Sequence, residues 1–160
     1  MPGIQQKKKD GKLAYSGFMI ERTARRMKQA IQKILAEHDT GITADQWIIL
    51  NLLSEHAPLS QFELAEKSFK DAPTITRMLD LMIKKELVER LPDPEDRRRF
   101  QVILTETGRK KHRHTLPLVR EIRSIGYENL SEKDLNLLMR IMDTIYTNFE
   151  THKNSDHALL

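Results

Sequence analysis

The sequence predicts a mainly α-helical protein with one small β-hairpin. Along most of the 160 residues, apolar side chains recur at spacings of three and four, the period of an amphipathic helix. Between residues 87 and 104 the period changes to two, which is typical of paired strands, and charged residues gather at the tip between them. This order of helices, charged hairpin and further helices is that of a winged helix-turn-helix.

The first helix is predicted from about Leu13 to Glu37. The apolar positions that lie on one face of it are Ile20, Ala24, Met27, Ile31 and Ile34. The lysine-rich residues ahead of it are expected to form a disordered arm or a solubilising tail, as is common at a chain terminus. Turn-forming residues at 39–41 then separate it from the next helix.

Two capping boxes mark the starts of the next two helices. In a capping box a hydroxyl and a longer side chain three residues later satisfy two otherwise unpaired backbone N–H groups. The pairs are Thr43 with Gln46 and Ser60 with Glu63. The second helix is expected to stop before Pro58, because the residue ahead of a proline disfavours helical backbone. The third helix is short, as in the first half of a helix-turn-helix.

The fourth helix has the features of a DNA-recognition helix. Asp71 is a good N-cap, and Pro73 lies in the first turn, where its missing N–H costs nothing. The apolar positions face inward and leave a short polar face at the helix start, which suits close approach to bases in the major groove. The residues expected to face that groove are Ala72, Pro73, Thr74, Thr76 and Arg77.

The segment of period two predicts the wing. Its strands are expected at Val88–Leu91 and Phe100–Leu104, and prolines at 92 and 94 should keep the tip out of regular pairing. The charged residues of the tip are Asp93, Asp96, Arg97, Arg98 and Arg99. Residues 84–113 hold ten Lys or Arg against six Asp or Glu and so carry the whole net charge of +4. A basic ribbon beside a recognition helix suits the minor groove of DNA.

Two long helices are predicted after the hairpin. Thr105 should cap the fifth helix, and Pro117 should interrupt and kink it by removing one backbone hydrogen bond. Ser131 to Asp134 should open the sixth helix, whose apolar face is too broad for a solitary surface helix. Residues from about Thr151 are expected to be disordered.

Composition argues against several classes of function. The chain has no cysteine, which removes disulfides, thiolate metal sites and cysteine nucleophiles. It has no apolar run near the ~20 residues that span a bilayer and no secretory apolar core, so we expect a cytoplasmic protein without membrane contact. Glycine-rich phosphate loops, nucleophile elbows and metal-ligand clusters are missing from the sequence, which argues against an enzyme, a cofactor or a metal site.

Five fragments follow one another along the chain: Leu64-Ala65-Glu66, Thr74-Ile75-Thr76-Arg77, Lys84–Arg90, Asp93–Arg98 and Leu104–Gly108. In this order and at this spacing they resemble the MarR family of bacterial transcription regulators, over nearly the whole chain. The resemblance implies a winged helix-turn-helix DNA-binding domain at residues 39–108. An N-terminal arm and dimerisation helix at 1–38 and C-terminal dimerisation helices at 109–150 would flank it, ahead of a disordered tail at 151–160.

The resemblance also implies how the wing would bind DNA. In the family an Asp-x-Arg unit inserts an arginine into the minor groove with its guanidinium held by the aspartate, and the matching residues are Asp96 and Arg98. Orienting a planar guanidinium in advance limits the entropy lost on binding, and a narrow groove strengthens the attraction to its charge. Arg97 and Arg99 are expected to point to phosphates or solvent.

The sequence departs from the family pattern at two positions. Glu95 stands where an arginine is usual, which leaves open whether the wing is tied to the body as in relatives. Glu86 stands where a glycine is common at the end of the fourth helix. Either Glu86 tolerates a left-handed turn at about 1 kcal/mol or the turn itself differs.

A homodimer that reads a pseudo-palindrome is implied, with the first, fifth and sixth helices of both subunits interlocked. The residues expected in that interface are Ile20, Met27, Ile122, Leu138, Met142, Ile145 and Phe149. Many relatives bind a small aromatic or phenolic anion between the first, second and fifth helices, and the matching candidates are Arg22, Trp47 and His112. Trp47, the only tryptophan, faces either such a pocket or the core.

Three functions are therefore weighed. The first is a dimeric repressor whose affinity for double-stranded DNA falls when an effector binds the two conformations of the protein unequally. The second is a DNA-binding regulator of the same fold that has no effector, or that activates transcription. The third, an enzyme, has no supporting motif in the sequence.

Overall fold

The computed structural model describes the backbone of residues 3–94, 96 and 99–156, and the side chains of these residues from 11 to 152. This part of the chain forms, in order, α1 (Gly3–Glu37), α2 (Ala44–His56), β1 (Leu59–Ser60), α3 (Gln61–Ser68), α4 (Ala72–Lys84), β2 (Val88–Pro92), β3 (Phe100–Leu104), α5 (Glu106–Gly126) and α6 (Glu132–Asp156). The strands make one antiparallel sheet in the order β1-β3-β2. The predicted fold class, mainly α with a small β-hairpin wing, is confirmed.

The chain divides into two compact units, of which one ends at Arg123 and the other begins at Ser124. The first unit holds a core in which the inward side of α4 is fully buried. The side chains with almost no exposure are Leu35, Trp47, Ile49, Leu50, Leu53, Leu64, Ile75, Leu79, Met82, Val88, Val102 and Val119. Because Ile75, Leu79 and Met82 hold one side of α4 against this core, its other side is left on the surface.

Both terminal helices are longer than the sequence predicted. The backbone is helical from Gly3, so the predicted start of α1 near Leu13 is wrong, and of the two expectations for the preceding residues the disordered arm is wrong while the solubilising tail stays a prediction. Disorder from Thr151 is likewise wrong as far as Asp156, where α6 ends, and residues 157–160 lie outside the described part. Apolar periodicity marks only the stretches that pack against something, so the mainly polar residues at both chain ends gave no helix signal.

The predicted starts of α2, α3 and α4 are confirmed by side-chain capping. Thr43 Oγ1 accepts from the backbone N–H of Gln46 at 3.2 Å, and Gln46 Oε1 accepts from the Thr43 N–H at 3.2 Å. Ser60 and Glu63 make the same reciprocal pair at the start of α3. Asp71 caps α4, with Pro73 in its first turn.

The two ends of the hairpin are tied to one another beyond the β-ladder. Glu86 has φ +56°, so of the two alternatives the left-handed turn is the one adopted. Its carbonyl accepts from the Thr105 hydroxyl, and Thr105 N–H donates to Leu87 O at 3.2 Å. Residue 108 has to be glycine, because a Cβ at this position would lie 1.9 Å from Leu87 O. Only glycine lets α5 start this close to the hairpin.

Three local expectations about the elements need correction. Pro92 pairs with Phe100 as the last residue of β2, at a strand end where the missing N–H is tolerated. The two-residue strand β1, which pairs with β3, was not predicted because two residues show no alternation. The interruption expected at Pro117 is wrong, since α5 runs unbroken from Glu106 to Gly126 and a proline removes a single hydrogen bond of the ladder.

The second unit exposes much of the apolar side of α6. Met139 is 61% exposed, Tyr146 48% and Phe149 72%. The helix begins at a reciprocal cap in which Asp134 Oδ2 accepts from the N–H of Ser131 at 2.9 Å and from its hydroxyl at 2.6 Å. Among the helices that the structure describes, none is long and apolar enough to cross a membrane.

Candidate nucleic-acid interface

The start of α4 presents a small polar surface that its own side chains hold in place. Asp71 accepts from both the N–H of Thr74, at 2.7 Å, and the hydroxyl of Thr74, at 2.8 Å. Arg77 Nη2 in turn donates to the Thr74 hydroxyl oxygen at 3.4 Å. These hydrogen bonds from Thr74, the backbone one first, hold the pKa of the Asp71 carboxyl below its ordinary value. The carboxylate is therefore ionised near neutral pH and orders the exposed helix end.

The five residues predicted to face DNA share this surface. Ala72, Pro73 and Arg77 are exposed, and Thr74 and Thr76 are half-buried. The Thr76 hydroxyl donates to the Ala72 carbonyl at 2.9 Å and accepts from Gln61 Nε2 of α3 at 2.5 Å. Gln61 was not predicted to belong to the surface. No local signal marks it, because its partner lies 15 residues further along the chain.

The base of the wing is tied to the same helix. Arg90 of β2 and Asp80 of α4 form an ion pair, with 2.9 Å between Nη2 and Oδ1. Gln101 of β3 donates to Asp93 Oδ2 at 3.3 Å, across the open end of the hairpin. The Arg90–Asp80 ion pair therefore holds the wing to the body. Glu95, which stands where an arginine is usual in the family, had left open whether such a connection exists.

The tip of the wing is described only in part. Glu95, Arg97 and Arg98 lie outside the described residues, so the expected support of Arg98 by Asp96 stays a prediction. Arg99 Nε lies 3.4 Å from Asp96 Oδ2, and the Arg99 side chain is 76% exposed. Asp96 therefore forms an ion pair with Arg99, a residue that lies outside the family's Asp-x-Arg pattern.

A second cluster, formed by Trp47, His112 and Arg123, lies inside the first unit. The rings of Trp47 and His112 are stacked with their centroids 6.5 Å apart, and the Arg123 guanidinium lies 5.1 Å from the centroid of Trp47. His112 Nε2 is 3.1 Å from Asn51 Oδ1, and burial lowers the pKa of His112, so the neutral ring donates to Asn51. Trp47 is 1% exposed, and its Nε1 has no hydrogen-bond partner among the described residues.

Of the three residues predicted to hold an effector, the structure brings two together. Arg22 lies elsewhere on α1, with its guanidinium 5.9 Å from the ring of Phe18. Arg123 takes the cationic position beside Trp47 instead. A signal for it existed, because residues 112 and 123 are eleven apart and therefore share a helix face.

The residues predicted for the dimer interface are all at least partly exposed. Those that are half-buried are Ile20, Met27, Ile122, Leu138 and Ile145. Met142 is 39% exposed and Phe149 72%.

Within the residues whose placement is described, no group of three or more His, Asp or Glu side chains is arranged to hold a metal ion.

Comparisons with known proteins agree with this architecture. A family model described as "MarR family" matches residues 42–100. The HTH-type transcriptional repressor NicR of Pseudomonas putida is 36% identical over 110 residues, which cover 66% of this chain and 70% of that protein. The HTH-type transcriptional repressor IacR of Pseudomonas putida is 27% identical over 134 residues, covering 84% and 79% of the two chains.

Solved structures give the same result. A mutant MarR from E. coli complexed with operator DNA superimposes with a TM-score of 0.76 at 27% identity, covering 84% of this chain and 95% of that one. Wild-type MarR from E. coli in its apo form gives a TM-score of 0.68 at 28% identity, covering 81% and 95%.

Proposed function

This chain belongs to the MarR family of transcriptional regulators, and from that premise we propose that it is a cytoplasmic homodimeric repressor. It binds a pseudo-palindromic DNA operator and is released from it by a small-molecule effector. Residues 39–108 bind DNA, and helices within residues 1–38 and 109–150 make the dimer. The observation that carries the proposal is the exposed polar start of α4 with the wing tied beside it.

The start of α4 enters the major groove. Ala72, Pro73 and Thr74 are small enough to let the helix approach base edges, and Arg77 reaches past them. The wing then meets the neighbouring minor groove with Arg98, while Arg97 and Arg99 point to phosphates or solvent. Since residues 84–113 carry the net charge of +4, the same surface attracts the DNA backbone.

The apolar side of α6 supports a dimer. Exposed Met142 and Phe149 are costly in water, and contiguous exposed apolar surface of this kind marks an interface. A two-fold dimer places two copies of α4 against two operator half-sites. The relatives named repressors support the proposed sign of regulation.

The cluster of Trp47, His112 and Arg123 is suited to a small aromatic anion. It supplies an aromatic face, a Trp47 N–H that has no hydrogen-bond partner among the described residues, and a guanidinium for a carboxylate or phenolate. An effector releases DNA only if it binds the two conformations unequally, so it must bind the conformation with lower DNA affinity more tightly.

One observation favours the alternative of a regulator without an effector. Trp47 is 1% exposed and His112 8%, so the two rings of the cluster are closed to solvent in this conformation, although Arg123 is exposed. An effector would have to open the cluster. A protein whose operator affinity responds to no aromatic anion in a screen fits this alternative.

The test is a titration of the protein against labelled DNA from immediately upstream of its own gene, with random DNA as competitor, at several salt concentrations. Tight binding that survives the competitor and weakens with salt supports the proposal. Arg98→Ala should weaken binding by about 1–3 kcal/mol, while Arg140→Ala, on the polar side of α6, should not change it. Equal weak binding to both DNAs, followed by a selection from random sequences that enriches nothing, would contradict the proposal.

A further inference from the structure

We propose that Gln61, the first residue of α3, is a specificity-determining residue that reads an adenine in the major groove. Thr76 of α4 is the positioning residue that orients its carboxamide. This inference rests on the proposed DNA binding and assigns part of the sequence reading to a second helix.

The hydrogen bonds of Thr76 decide which end of the carboxamide it meets. A threonine hydroxyl has one proton, and here that proton goes to the Ala72 carbonyl at 2.9 Å. The hydroxyl oxygen must therefore accept from its other neighbour, so Gln61 turns its Nε2 toward Thr76 at 2.5 Å. The orientation of the amide follows from this network.

The remaining polar atoms of Gln61 match one base edge. Its Oε1 and its second Nε2 proton make no other hydrogen bond within the part of the chain that the structure describes. In the major groove adenine offers N7 as an acceptor beside an N6 donor, and a glutamine amide meets both at once. The Gln61 Oε1 acceptor and the second Nε2 proton, which Thr76 does not use, are the acceptor and donor that adenine requires.

Gln61 lies between the two elements proposed to enter the grooves. It lines a cleft of about 570 Å³ together with Ser60 and Phe62 of α3 and with Arg99 and Phe100 of the wing. On its other side it contacts the exposed start of α4 through Thr76. DNA that spans α4 and the wing must pass over this half-buried amide.

The arrangement changes the role of Thr76. Because its one proton goes to Ala72 and its oxygen already accepts from Gln61, Thr76 has no donor and at most one acceptor lone pair left for a base. Its contribution is to hold the Gln61 amide in the reading orientation, which reduces the rotamer entropy lost when DNA binds.

The experiment is a selection from random-sequence DNA with four purified proteins. They are the wild type, Gln61→Leu, Thr76→Val and the control Gln29→Leu, which alters an exposed glutamine of α1. The wild-type and Gln29→Leu motifs should share an adenine at one position of each half-site. Gln61→Leu should lose roughly tenfold of the discrimination at that position alone, which is the ratio expected of about 1.4 kcal/mol.

Thr76→Val should lower the discrimination at the same position, and Gln61→Leu combined with Thr76→Val should behave like Gln61→Leu alone. This coupling is a readout that a merely structural role of Thr76 would not give. Gln61→Glu should also lose the adenine preference, because a carboxylate cannot donate to N7. The Gln61→Glu side chain has the size of glutamine and leaves the Ser60 cap of α3 in place. This variant therefore replaces Gln61→Leu in the test if the leucine variant does not fold.

Each outcome is decisive. An unchanged motif in a folded Gln61 variant, or an equal loss at every position, overturns the assignment of Gln61 while leaving the proposed function standing. A wild-type protein that enriches no motif overturns the proposed function and this inference with it.

Discussion

Helices α4 and α6 begin alike and pack differently. Each is amphipathic and starts with a side-chain cap, made by Asp71 in α4 and by Ser131 in α6. Yet Leu79 of α4 is 0% exposed, whereas Phe149 of α6 is 72% exposed. The same kind of sequence pattern thus specifies either an internal core or a surface that still needs a partner.

The width of the apolar side separates the two cases. The buried positions of α4 form a narrow stripe, which a single neighbouring layer can cover. The apolar positions of α6 spread over roughly 200° of the circumference, at about 3.6 residues per turn. A helix that is apolar over more than half its surface has to be covered from more than one direction, which a second copy of the chain would do.

The largest effect is expected for Met142→Asp in α6. If this face lies in a dimer interface, an unpaired buried carboxylate should weaken association by about 4 kcal/mol, or roughly a thousandfold in Kd. Analytical ultracentrifugation at micromolar protein concentration measures the monomer–dimer equilibrium. Asn136→Asp adds the same charge on the polar side of α6 and should leave the dimer intact. A Met142→Asp protein that stays dimeric would show that α6 is not the interface.

Leu79→Ala tests the other helix of the comparison, α4, whose apolar side is buried. Removing a fully buried side chain of α4 should lower the free energy of unfolding by about 2–5 kcal/mol through lost transfer energy and a cavity. Leu81→Ala, in the same helix but 52% exposed, should cost less than about 1 kcal/mol. Urea unfolding at one fixed protein concentration compares them. Similar costs would mean that the burial of α4 is not what stabilises this unit.

The caps should behave alike in both helices. Asp71→Ala and Ser131→Ala each remove an acceptor for backbone N–H groups and should cost about 1 kcal/mol. In a chain of this size that lowers the Tm by roughly 2–4 °C. Asp71→Asn retains a capping oxygen and should lose much less. A cap effect confined to one helix would show that the two starts are not equivalent.

The smallest effect is the pH dependence of these caps. Hydrogen bonds from Thr74 lower the pKa of Asp71, and those from Ser131 lower the pKa of Asp134, both from an ordinary value of 3.8. A carboxyl whose pKa is lower in the folded state adds stability above the unfolded pKa and loses it as pH falls through the folded value. Between pH 5 and pH 2.5, the Tm of Asp71→Asn should therefore fall less steeply than that of the wild type. Parallel profiles would contradict this.

Local signals in the sequence determined the starts of α2, α3 and α4, and α4 is the proposed recognition helix. The caps at Thr43, Ser60 and Asp71 join atoms three residues apart, so their geometry follows from the backbone of one helical turn. Alternation between 100 and 104 likewise predicted β3, because a strand that is buried on one face needs a period of two.

Tertiary structure alone decided which distant side chains meet. Gln61 reaches Thr76 and Arg90 pairs with Asp80 only because different elements meet at particular places, and no spacing within one element encodes such a contact. It also decided that the apolar side of α4 is buried while that of α6 is exposed. Hydrogen bonds over a few residues are set by local backbone geometry, whereas burial depends on what the rest of the chain, or another chain, brings alongside.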